Sequence, residues 1–105
     1  MKTKEEIRSM IEELSRKDTS RMYLNDFFHT WKESDDELAA VFEVAEILRA
    51  MRENNISTKA IDSGLGISVF RDNSTRTRFS FASACNLLGL EVQDLDEKVS
   101  QIAHG

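Results

Sequence analysis

The chain has 105 residues, 40% of them apolar and 31% charged, enough for one small domain or a piece of a larger one, with no stretch near the roughly 18 uninterrupted apolar residues of a membrane helix. A net charge of −5 argues against nucleic-acid binding through a general basic surface, though a local cationic pocket could still hold a small anion. The opening M-K-T-K-E-E-I-R lacks the apolar region of a secretory signal, so the expected compartment is the cytoplasm, and no membrane partner is expected.

Residues 2–16 set Ile7, Met10, Ile11 and Leu14 at helical spacing, predicting a surface helix with one apolar stripe. The next stretch, R-M-Y-L-N-D-F-F-H-T-W (21–31), holds six large apolar or aromatic side chains in eleven positions. That density is too high for a free linker, so the segment is expected to pack, with His29 among its aromatics. Ser34 then opens S-D-D-E, a capping box in which Ser34 and Glu37 satisfy each other's backbone N–H groups. One long helix is predicted from there to about Asn54, with Leu38, Val41, Phe42, Ala45, Ile47, Leu48 and Met51 along it.

I-S-T-K-A-I-D-S-G-L-G (56–66) reads as loop and turn, and I-S-V-F (67–70) as a short strand mostly facing inward. A further helix is predicted from about Thr75 to Leu88; it is apolar almost all round, hence expected to be buried, and stops at Gly89 in a left-handed cap. Cys85, the single cysteine, lies in F-A-S-A-C-N-L-L and reads as a buried, inert thiol. L-E-V-Q-D-L then reads as a second strand, so residues 67–95 make a strand, loop, helix, strand unit suited to a parallel sheet. The expected fold class is α/β, a partial parallel sheet flanked by helices. Its parts are an N-terminal helical segment (1–33) and a long helix plus the strand–loop–helix–strand unit (34–105). Two strands leave sheet edges exposed, and on that ground the chain is expected to be cut short.

The stretch N-S-T-R-T-R-F-S-F (73–81) poses an electrostatic question. Asn73 and Ser74 suit a helix start, yet Arg76 and Arg78 put two cations into the first turn, where the helix already carries partial positive charge. A bound anion would answer it, because the unpaired first N–H groups, the hydroxyls of Ser74, Thr75 and Thr77, and a guanidinium fork all suit phosphate or carboxylate. Residues two apart on a helix diverge by roughly 200°, so both arginines cannot face one ligand, and one of them is expected to be structural. On local pattern alone the alternative stays open: Ser74 as an ordinary N-cap, with both arginines solvated. The run lacks G-x-x-x-x-G-K-[ST] and G-x-G-x-x-G, so a nucleotide P-loop fits poorly.

S-T-R-T-R-F-S-F closely resembles the carbamoyl-phosphate motif of the aspartate and ornithine carbamoyltransferases, and F-R-D-N-S-T-R-T-R resembles the ornithine branch's F-E-K-x-S-T-R-T-R. S-Q-I-A-H-G (100–105) resembles the S-Q-I-G-H found downstream in some of these enzymes. By this resemblance the chain is the N-terminal portion of a carbamoyl-phosphate domain. Ser74, Thr75, Arg76 and Thr77 would bind the phosphate of carbamoyl phosphate, and Gln101 would be a second contact. Arg78, with a more structural role, and His104 are further candidates.

The resemblance also implies a homotrimer with sites at subunit boundaries, and transfer of the carbamoyl group to an amino group of an acceptor with no metal or organic cofactor. The family's H-P-x-Q segment and its acceptor-selecting second domain are absent from the 105 residues, so the chain alone is expected to be catalytically incomplete. Arg71 and Asp72 reverse the charge order of the ornithine branch, which puts ornithine itself in doubt and points to a less characterised branch. A different class of reading is a non-catalytic interaction or assembly module with a vestigial anion site.

Overall fold

The structure, a computed structural model, describes residues 1–71 and 74–96. The chain divides into two compact units, Met1–Ile56 and Ser57–Gly105.

The first unit is a pair of helices, α1 (Lys4–Ser15) and α2 (Asp35–Glu53). Each starts in a complete capping box: Thr3 with Glu6, and Ser34 with Glu37. The helices run antiparallel. At one end the Asn54 side-chain amide donates to the Lys2 carbonyl (2.8 Å), and towards the other Lys17 pairs with Glu43 (2.7 Å). Between them Ile7, Ile47 and Ala50 form a small core, flanked by Met10, Leu14, Met51 and Ile56.

The segment joining the two helices differs from expectation. It contains two single turns of 3-10 helix, Ser20–Met22 and Thr30–Lys32, and Tyr23, Leu24, Phe28 and Trp31 are strongly exposed. Short turns with a left-handed Leu24 (φ 58) between them present no continuous face that could be buried. Asn25 closes the first turn by donating to the Arg21 and Tyr23 carbonyls, and His29 stacks on Trp31 at a centroid separation of 4.3 Å. The segment is tied to α2 by a charge. Glu37, only 2% exposed, accepts from Arg21 Nη2 (2.5 Å) and Nε (3.2 Å) and from the Ser34 amide (2.7 Å). The Arg21 guanidinium and then that amide hold its carboxyl down to about 2.

The second unit is a βαβ crossover: β1 (Leu65–Phe70), α3 (Thr75–Leu88) and β2 (Glu91–Asp96), the strands paired in parallel from Leu65↔Glu91 to Phe70↔Asp96. Gly89 (φ 105) ends α3 in a left-handed cap, with the Gly89 and Leu90 amides donating to the Asn86 and Cys85 carbonyls. The preceding loop is fastened to the same helix end by Thr58 Oγ1 on the Leu87 carbonyl (2.7 Å) and the Ile61 amide on that of Leu88 (3.0 Å).

Two expectations about burial fail here. Strand β1 turns its small residues, Gly66 and Ser68, towards α3, and leaves Leu65, Ile67 and Val69 exposed on the opposite face. Helix α3 buries only Cys85 fully, and Phe79 is 71% exposed. A helix lying on two strands contacts them along one stripe, so an apolar composition all round does not cover the rest.

Candidate anion site at the start of the last helix

The site lies where β1 ends and α3 begins. Ser74 stands in the N-cap position (φ −83, ψ 74) but makes no side-chain capping bond, contrary to the ordinary-cap reading of its hydroxyl. The first intrahelical bond is from the Arg78 amide to the Ser74 carbonyl (2.9 Å). The amides of Thr75, Arg76 and Thr77 therefore precede the helical ladder, and no acidic side chain stands in the first turn to occupy them. Thr75, Arg76 and Thr77 are exposed, and Ser74 is half-buried. Solvent thus reaches the donors and hydroxyls of this turn.

The two arginines are placed differently. Arg76 makes no hydrogen bond or ion pair among the described residues, so its guanidinium projects as a solvated cation at the positive end of the helix dipole. Arg78 is half-buried; it pairs through Nη1 with Asp94 Oδ2 on β2, and its guanidinium carbon lies 5.4 Å from the centre of the Phe70 ring. The roughly 200° between positions two apart sends one side chain outward and the other onto the sheet. Asp94 is held in turn by Ser68, its cross-strand partner, whose hydroxyl donates to Asp94 Oδ1 (2.9 Å). Asn73, Gln101 and His104 lie outside the described residues.

Asp94, Ser68 and Phe70 are the components that sequence reasoning missed. Alternation along β1 puts Ser68 and Phe70 on one face, which was available as a signal. That Asp94 shares this face follows only from the strand register.

An exposed helix start with one solvated guanidinium and three amides unengaged among the described residues can accept a dianion, offsetting both the dipole and the cation. Comparison with known proteins bears on which kind. Residues 25–105 match the family described as "Aspartate/ornithine carbamoyltransferase, carbamoyl-P binding domain". The chain is 66% identical over 87 residues to the Escherichia coli K12 protein named "Putative carbamoyltransferase YgeW", an alignment covering 83% of this chain and 22% of that protein. It is 35% identical over 72 residues to aspartate carbamoyltransferase 2, chloroplastic, of Pisum sativum, covering 69% of this chain and 19% of that one. The chain thus spans about a fifth of the length of these curated relatives. Most of it lies within the matched region, and on that match the chain belongs to the aspartate/ornithine carbamoyltransferase family, the matched residues falling in its carbamoyl-phosphate-binding domain.

Proposed function

We propose that the chain supplies the phosphate half of a carbamoyl phosphate site, in a protein that transfers the carbamoyl group to an amino group of an amino acid or related acceptor. The observation that carries this reading is the exposed, acid-free first turn of α3, with Arg76 unpaired among the described residues. In the reaction an amine attacks the carbamoyl carbon and phosphate departs. Arg76 and the Thr75–Thr77 amides would neutralise charge growing on the leaving group, and the hydroxyls of Ser74, Thr75 and Thr77 would fix its orientation. Gln101 and His104 are proposed to approach the same ligand from the segment after β2. Residues 1–105 would form part of one carbamoyl-phosphate-binding domain. The chain contains no proline, hence no H-P-x-Q segment, and groups that polarise the carbonyl and select the acceptor would be supplied from elsewhere in the protein. A homotrimer and a cytoplasmic location belong to the same proposal; among the described residues, no helix is long and apolar enough to cross a membrane.

The test is titration of the chain with inorganic phosphate and with carbamoyl phosphate, followed by amide chemical shifts of Thr75–Thr77. Hydrogen bonds to a charged group contribute about 1.5–3 kcal/mol, so Arg76→Ala should weaken binding roughly 10- to 100-fold. Equal binding by the two proteins would defeat the assignment.

The exposed Tyr23, Leu24, Phe28 and Trp31 favour a second reading, an assembly module in which the anion site is vestigial. A monodisperse assembly in light scattering, indifferent to phosphate, would support it over the first.

A further inference from the structure

We propose that Asp94 is a positioning residue for the anion site, holding the first turn of α3 in register with the sheet through Arg78; this rests on the reading of that turn as a phosphate site. Asp94 accepts two hydrogen bonds at its two oxygens, from the Ser68 hydroxyl at Oδ1 and from Arg78 Nη1 at Oδ2. Ser68 is buried and stands directly opposite Asp94 in the parallel pairing, so one half of the brace is fixed within the sheet. The other half leads to α3. Arg78 follows Thr77 directly, and its own amide donates the first bond of the helical ladder. Phe70, the last residue of β1, lies under the same guanidinium and limits its sideways movement.

The consequence is geometric. Three amides converge on one anion only if the turn that carries them keeps its direction, since a hydrogen bond weakens steeply once its angle falls towards 120°. Arg78 lies two residues from Arg76, about 3 Å along the axis at 1.5 Å per residue, so a shift at the brace reaches the site almost undiminished. The brace also sorts the two cations: Arg78 carries its carboxylate with it, which leaves Arg76 as the exposed charge of the turn.

Electrostatics and positioning predict opposite signs, and that makes the role measurable. A bare carboxylate near the site repels an anion, so if Asp94 acted only through its charge, removing it would tighten phosphate binding. If it positions the turn, Asp94→Ala weakens binding of inorganic phosphate by roughly 5-fold or more, the low end of couplings between linked positions. Asp94→Asn should restore most of the loss, because an amide can accept from Arg78 and donate to Ser68. Titration of both variants, with a urea midpoint for each, decides it. Tighter binding in Asp94→Ala overturns the proposal, and so does unchanged affinity with a lowered midpoint. A parent chain that binds no phosphate would sink the phosphate-site reading instead. The brace is then judged from hydrogen exchange of the Arg78 amide: faster in Asp94→Ala and slowed again in Asp94→Asn if it holds, the same in all three proteins if it does not.

Discussion

Gly66→Ala tests the contact on which the placement of α3 depends. A Cβ at this position would stand 2.5 Å from Cys85 Sγ and 3.5 Å from Cys85 Cβ, in the middle of the face where helix meets strand. Apolar contacts are most favourable at about 3.5–4.0 Å, so either the Cys85 thiol leaves its rotamer or helix and strand separate by roughly 1 Å. Overpacking of this kind costs about 1–3 kcal/mol. With a urea dependence of about 1–3 kcal/mol per molar for a small protein, the midpoint should fall by roughly 1 M. Far-UV circular dichroism is the suitable signal, because Trp31 is 77% exposed and lies in the other unit. Cys85→Ala alone should destabilise by about 1 kcal/mol through the cavity it leaves. Combined with Gly66→Ala, however, it removes the clashing sulfur, and the double variant should be more stable than Gly66→Ala alone. Strictly additive losses would refute the argument that Cys85 sets the spacing, since residues in contact should couple by about 0.5–3 kcal/mol.

Two further outcomes concern the first unit. Glu37 has its folded-state pKa depressed from 4.5 to about 2, so the stability it contributes is present above about pH 4.5 and is lost as pH falls towards 2. Urea midpoints measured across that window should decline in the parent chain and be flatter in Glu37→Gln; parallel curves would mean the Arg21 clamp does not act this way. Ile47→Ala, at a side chain 6% exposed between α1 and α2, should cost about 2–5 kcal/mol, seen as lost protection of α1 amides in hydrogen exchange. Unaltered protection of α1 would place the small core elsewhere.

The local signals in the sequence translated directly into structure. The capping box at Ser34, the apolar spacing that follows it and Gly89 at the end of α3 are decided by neighbours within a few positions, and each appears where its residues put it. Burial was harder to read. The aromatics of residues 21–31 and the apolar surface of α3 were expected to be covered, yet composition reports only that a side chain avoids water and says nothing about what lies over it. In β1 the contact face belongs to Gly66 and Ser68, because α3 approaches closely where side chains are smallest. The turn at the candidate site could be located because cations in a helix's first turn conflict with its dipole. The partition of the two arginines needed more: Asp94 is 16 residues from Arg78 and meets it only through the parallel register. Gln101 and His104 rest on motif resemblance alone.

The single thiol gives the second unit a built-in stopwatch. Cys85 is 6% exposed and sits under the contact that α3 makes with Gly66, so a thiol-modifying reagent can reach it only when the helix lifts from the strands. With no other cysteine in the chain to confuse the signal, the rate of modification reports those liftings alone.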